Sequence, residues 1–285
     1  MLSRRRLTLL QPVPEYREFF LPGKCEAGSC RRIEVVLDES GDGIPAGAVR
    51  LFESGESWSV YADGKQRCLV HRSNERKEVH WMAHFALGGR RVRLSLGAGA
   101  FGNSDGLVNP LMYPLDQLLL MYLLSRGEGV ITHAAGLQVE GRGVIFAGRS
   151  GAGKSTIVRL LKDSGCSDAL SDDRVVVRKR GRGFCQFGTP WPGELKVAAN
   201  RRLPLDAICF LRHEAVNRMT RLRGIGALER FLPLASIPWY EKSIVPQMVD
   251  FCERLTASIP VFELAFRPDA SAAAFVRREI GRLGR

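Results

Sequence analysis

The chain has 285 residues, 45% of them hydrophobic and 25% charged, which allows one large domain or two modest ones with their own cores and excludes a disordered or fibrous chain. The longest apolar stretch, Leu118 to Leu124, is far too short to span a bilayer, and the first ten residues lack a full signal-peptide core. The net charge of +12 is spread evenly, with 17 Lys/Arg against 14 Asp/Glu over residues 1–127, 11 against 7 over 128–200 and 14 against 9 over 201–285.

That distribution licenses a general attraction to anionic ligands and argues against a nucleic-acid module; the one tight run, Arg178-Lys179-Arg180-Gly181-Arg182, reads as an exposed turn between strands. No membrane association is expected. Seven cysteines, an odd number scattered without metal-ligand pairing, suit a reducing, cytoplasmic setting; Cys25 and Cys30 flank a small loop and could in principle bridge.

The first third of the chain alternates with period two. Strands are expected at Arg32–Leu37, Trp58–Ala62, Arg67–Arg72, Val79–Leu87 and Arg91–Leu96, with turn signals at Ala62-Asp63-Gly64-Lys65 and Gly88-Gly89. This predicts a mainly antiparallel β module over residues 1–108. The pattern changes at Asn109-Pro110, and Pro114 opens a strongly apolar run that reads as a buried helix. The remainder, residues 109–285, is expected to form an α/β domain. It has strands at Val130–Val139, Gly143–Ala147, Arg174–Lys179, Phe184–Phe187, Ala207–Arg212 and Pro260–Phe266, and helices at Lys154 to about Ser164, Ile225–Leu234, Ile244–Ala257 and Ala272–Leu283.

The segment Gly148-Arg149-Ser150-Gly151-Ala152-Gly153-Lys154-Ser155 matches the P-loop pattern G-x-x-x-x-G-K-[ST] in full, with an apolar strand leading in and a helix beginning Thr156-Ile157-Val158 leading out. The chemistry this pattern implies is polyphosphate binding. Glycines let the backbone wrap close to the phosphates, the helix N-terminus offers free amides and a favourable dipole, Lys154 supplies a point charge, and the Ser155 hydroxyl is a magnesium ligand. The nucleotide-contacting set is therefore Gly148, Ser150, Gly151, Ala152, Gly153, Lys154, Ser155 and Thr156, with ATP and Mg2+ as the expected cofactors. The apolar strand Ala207–Leu211 ends in Arg212 and not in an acid, so the second acidic element is sought elsewhere. Ser171-Asp172-Asp173-Arg174 supplies two adjacent carboxylates that can divide the work of orienting a metal and accepting a proton; an Asp-rich turn is the structural alternative.

The loop, Ser171-Asp172-Asp173-Arg174 and the upstream His133-Ala134-Ala135-Gly136 together resemble the HPr kinase/phosphorylase catalytic domain and its related proteins, over roughly residues 112 to 268. The family's fold is also similar to the nucleotide core of phosphoenolpyruvate carboxykinase. The resemblance implies that Asp172 helps hold magnesium, that Asp173 is the general base toward an acceptor hydroxyl, that His133 approaches the phosphates, and that Glu194 is a further metal or phosphate-site residue. Arg174 is the candidate for neutralising charge on the transferring group. Where HPr kinases carry an Arg-Gly-x-Gly segment after the paired Asp, this chain has Gly188-Thr189-Pro190-Trp191-Pro192-Gly193-Glu194, so HPr is not the expected acceptor. The variant with Pro114-Leu115-Asp116-Gln117-Leu118 before the His resembles HPr-kinase-related proteins of peptide-modification systems. The expected reaction is ATP-dependent phosphorylation of a hydroxyl, serine in a peptide or protein or a small-molecule alcohol. The alternatives are a nucleotide-binding regulator that no longer transfers phosphate and, more weakly, a carboxykinase-like enzyme. The β module is left with three roles: acceptor binding, self-association into a homo-oligomer, or covering a sheet edge.

Overall fold

The computed structural model describes residues 14–19, 34–38, 43–55, 57–73, 78–88, 91–97, 110–165 and 167–283. Cys25 and Cys30, and hence the bridge considered for them, lie outside these residues, whereas Cys68, Cys185, Cys209 and Cys252 are free thiols. Contacts divide the chain into two compact units, Met1–Pro12 with Pro22–Leu123, and Val13–Leu21 with Leu124–Arg285. No helix among the described residues is long and apolar enough to cross a membrane.

The first unit is a six-stranded sheet formed by β1 (Glu34–Asp38), β2 (Val49–Ser54), β3 (Trp58–Asp63), β4 (Gln66–Arg72), β5 (Val79–Ala86) and β6 (Arg91–Leu96). Its order is β1-β6-β5-β4-β3-β2, antiparallel except for β1, which joins β6 in parallel. Period-two alternation puts Trp58, Val60, Leu69, Trp81, Ala83, Phe85 and Leu94 into the core. The helix α1 (Leu115–Leu124) buries Leu115, Leu118 and Tyr122, the Tyr122 ring lying 5.6 Å from that of Phe85. His71 stacks on Trp81 at 4.9 Å with the rings 6° from parallel. Burial, and then the neighbouring His80, pushes the His71 pKa down to about 4.

The second unit is a nine-stranded mixed sheet. In chain order its elements are β7 (Gly129–Val139), β8 (Arg142–Ala147), α2 (Lys154–Asp163), β9 (Ser167–Ser171), β10 (Arg174–Arg180), β11 (Gly183–Phe187), β12 (Arg202–Pro204), β13 (Ala207–His213), β14 (Arg218–Leu222), α3 (Ile225–Phe231), α4 (Val245–Ser258), β15 (Val261–Phe266) and α5 (Ala270–Gly281). The strand order is β12-β11-β10-β7-β8-β13-β15-β14, with β9 also paired to β7. The three strands β8, β13 and β15 run parallel, so Ala147, His213 and Phe266 end on the same side of the sheet. These strands are nearly continuous apolar runs, as a sheet covered by helices requires. Helix α2 buries Ile157, Val158 and Leu161 against Val144, Phe146 and Leu264, and α5 adds Val276 and Ile280 to the same core. Helix α4 buries Met248, Phe251 and Leu255, with the Phe251 ring 5.8 Å from Phe184 of β11. This architecture is compatible with an α/β nucleotide-binding fold.

The topology at β7 positions the chemistry. The first half of this strand pairs with β10 and its second half with β9, both on one edge, while β8 takes the other edge. The two-residue step between β9 and β10, Asp172-Asp173, therefore sits at the junction of two ladders, directly beside His133.

Candidate functional site

The segment between β8 and α2 turns sharply because Gly151 and Gly153 adopt φ of +80° and +97°, conformations that side chains with a Cβ rarely enter. Gly153 also allows a close approach: a Cβ there would stand 2.2 Å from His213 Nε2 and 2.7 Å from Phe266 Cζ. Gly148 is equally constrained, since a Cβ would meet that of Ala152 at 2.5 Å. Helix α2 then starts at Lys154 with Gly153 as its N-cap and no side chain capping its first amides, so those amides are left to face the cleft.

Lys154 is buried, and its Nζ donates to the carbonyl oxygens of Gly148 at 3.0 Å and Arg149 at 3.4 Å. Burial lowers its pKa, with Arg174 adding to that effect and Asp173, Glu194 and Asp172 opposing it. The ammonium is thus held over the loop by carbonyl dipoles and partly surrounded by carboxylates.

Facing the loop, His133 of β7 and Asp173 share a hydrogen bond of 2.7 Å between Nε2 and Oδ1. Two ladders hold the pair in place: His133 is in register with Arg174, and the Ala134 amide donates to the Asp173 carbonyl at 2.9 Å. Arg174 Nε lies 3.6 Å from Asp173 Oδ2. Burial acts to raise the Asp173 pKa, but the hydrogen bond and charge of His133, with Arg174 and Lys154, override it and hold the carboxyl below its ordinary 3.8.

Asp172 borders the same cleft but spends its carboxylate on backbone amides. It is 1% exposed; Oδ1 accepts from the amides of Gly193 at 2.8 Å and Val197 at 3.2 Å, and Oδ2 from that of Leu195 at 2.6 Å. Glu194 stands between two of these tethered amides and contributes to the cleft wall.

One cleft of about 390 Å³ collects His133, Ser150, Gly151, Gly153, Lys154, Ser155, Thr156, Asp172, Asp173, Arg174 and Glu194. Of the residues singled out in the sequence, Gly148 and Ala152 do not line it; they border a second depression with Phe210, Leu211 and Pro233, and Ala152 packs on the core. His213 does line the first cleft, its ring edge-on to Phe266 at 5.0 Å. The sequence pattern passes over it because the search after the apolar run Ala207–Leu211 is for an acid, whereas β13 continues two residues further and ends in this imidazole.

Among the described residues no group of three or more His, Cys, Asp or Glu could hold a metal alone. Magnesium shared with substrate phosphates needs only one or two protein oxygens, and Ser155 and Glu194 are hard donors of the right kind in the cleft. The left-handed glycines, the open amides and the buried ammonium fit a polyphosphate in the same way.

No known family profile matches the chain, and no curated protein matches it in sequence. Among solved structures, the Hpr(Ser) kinase/phosphatase from Coxiella burnetii aligns over 53% of this chain and 93% of that one, at 12% identity and a TM-score of 0.30. A likeness of that size identifies neither the family nor the reaction.

Proposed function

We propose that this chain is a kinase that binds ATP and Mg2+ through a P-loop at Gly148–Ser155 and transfers the γ-phosphoryl group to a hydroxyl, serine of a peptide or protein being the favoured acceptor class. The observation that carries the reading is the placement of the His133–Asp173 pair across one cleft from the glycine loop and Lys154. A phosphate-binding loop alone fits any NTPase. A half-buried carboxylate opposite it, bonded to His133 and near Arg174, fits one whose nucleophile carries a proton that must be removed.

ATP with magnesium would supply the phosphoryl group and the metal charge that offsets it. The residues then have separable tasks. The amides at the start of α2 and Lys154 Nζ bind phosphate oxygens, Lys154 exchanging the carbonyls of Gly148 and Arg149 for them. Ser155 Oγ and the Glu194 carboxylate are the oxygen donors for the metal. As the bond from the acceptor oxygen to phosphorus forms and the bond to the leaving ADP oxygen breaks, the acceptor proton passes to the Asp173 carboxylate. Because that carboxyl is held below its ordinary pKa, the proton moves late, when the acceptor oxygen has already become acidic. His133 keeps Oδ1 aimed, and Arg174 balances charge at Oδ2.

The direct trial uses purified protein, γ-labelled ATP and a panel of serine-containing peptides and alcohols. Asp173→Asn is expected to lower transfer by about 10²- to 10⁴-fold, the range for loss of a general base, while ATP affinity changes by less than about threefold. Undiminished transfer would remove Asp173 from this role. ATP binding by the unsubstituted protein with no transfer to any acceptor would instead favour a nucleotide-binding regulator.

A further inference from the structure

Asp172 and Asp173 are adjacent and compositionally identical, yet the chain puts them to opposite uses. Asp172 turns under the Gly193–Val197 segment, where three backbone amides take three of the roughly four acceptor positions its carboxylate possesses. That segment needs a tether. Lys196 sits at φ +55°, a left-handed conformation that costs a residue with a Cβ, and its amide closes a tight turn onto the Gly193 carbonyl at 3.3 Å. Gly193 lies so near the carboxylate that a Cβ on it would be 2.9 Å from Asp172 Oδ2 and 3.1 Å from Asp173 Cβ. Beyond Val197 the chain is already secured, because Ala198 bridges Ser171 and the Ala199 amide donates to the Leu170 carbonyl at 2.9 Å. What Asp172 adds is the fixation of the residues on either side of Glu194.

We propose that Asp172 is a positioning residue, a latch that holds the Gly193–Val197 segment so that Glu194 stands in the cleft, and that it is not itself a ligand of the metal. The latch stands on the ligand-free geometry; only the task given to Glu194 rests on the phosphotransfer reading. An asparagine at this position keeps the shape but turns an amide NH2 toward N–H groups that need an acceptor, so it breaks at least one tether and sets donor against donor.

Hydrogen exchange on the ligand-free protein tests the latch without nucleotide or metal. In Asp172→Asn, protection at the amides of Gly193, Leu195 and Val197 is expected to fall by about tenfold or more, while Glu194→Gln leaves it unchanged. Unchanged protection in folded Asp172→Asn overturns the proposal. Should Asp172→Asn fail to fold, Gly193→Ala takes its place, since its Cβ pushes the segment off Oδ2; retained protection in that variant overturns the proposal equally. Mn2+ affinity of the ATP-loaded protein is the second readout. Asp172→Asn and Glu194→Gln are expected to weaken it by similar factors, and the double variant to be no worse than Glu194→Gln alone, because Asp172 acts through Glu194. Additive losses would make Asp172 a ligand in its own right and overturn the proposal. Wild-type protein that bound neither ATP nor Mn2+ would defeat the phosphotransfer reading and leave the exchange result standing.

Discussion

Gly151 and Gly153 look interchangeable in the loop pattern, but their surroundings separate them. Both have positive φ, at +80° and +97°, yet a Cβ on Gly151 would point into open space while one on Gly153 would run into His213 and Phe266. Gly151→Ala should therefore cost only backbone strain, about 1 kcal/mol, whereas Gly153→Ala should cost about 2–3 kcal/mol and weaken ATP binding more than tenfold by prying β13 from the loop. Urea midpoints and calorimetric titration of both variants measure the difference; equal effects would mean that the His213 contact is unimportant. The same limit on legibility applies to the paired acids. Residue type and spacing put Asp172 and Asp173 after the loop helix, but the way each carboxylate faces is set by distant partners, His133 for Asp173 and the amides of a segment some twenty residues later for Asp172, and no local pattern encodes that. His133, expected near the phosphates only through the family resemblance, lines the same cleft, and the register with Arg174 gives the physical reason.

Among elements, those with strong periodicity were readable and those without were not. The strands β7, β8, β13 and β15 are apolar because they are buried on both faces, so composition alone announces them. The sequence reading omits β9, β12 and β14. In β14, Arg218-Met219-Thr220-Arg221-Leu222 forms the sheet edge, where charge is tolerated and useful, and in β9 the residues are Ser, Asp, Ala, Leu and Ser, whose strand conformation is imposed by pairing to β7. Strand β2 is likewise half-exposed and was not anticipated. The helix expected over Ile225–Leu234 is a short α3 that tightens to a 3₁₀ turn at Leu232–Leu234, where Pro233 cannot continue the α-helical ladder. Helix α4 matters more to stability, since Phe251 is 1% exposed and packs edge-on against Phe184. Phe251→Ala is expected to cost about 3–5 kcal/mol in urea denaturation, while Ile225→Ala, at a side chain 69% exposed, should stay within about 0.5 kcal/mol. A small loss at Phe251 would show that the α4 core repacks around the void.

For the molecule as a whole, the sequence suggests a division at Asn109, where period two gives way to a mixed pattern. The contacts assign α1 to the first unit up to Leu123 and the short turn Pro14–Phe19 to the second, where the Trp191 indole donates to Tyr16 Oη at 3.1 Å. Such a tie across 175 positions has no signature in composition. The first unit carries its own acid sensitivity. His71 is neutral in the folded state, with a pKa near 4 against 6.5 when exposed, so the unfolded chain binds the extra proton between those values and stability falls as pH drops from about 6.5 toward 4. At pH 5 the loss is about 1 kcal/mol once solvent screening of a half-buried ring is included. The urea midpoint of wild type should therefore decline from pH 7 to pH 5 by more than that of His71→Phe, and parallel declines would assign the effect elsewhere. A last consequence follows from the way β9 and β10 share one edge of β7. The wall of the cleft that bears His133 and Asp173 is woven into two ladders and loosens only when the sheet itself comes apart, whereas the neighbouring Gly193–Leu195 stretch depends on the Asp172 carboxylate. Local opening of the cleft is therefore expected on the Gly193–Val197 side, whose amides should exchange with solvent faster than those of β7.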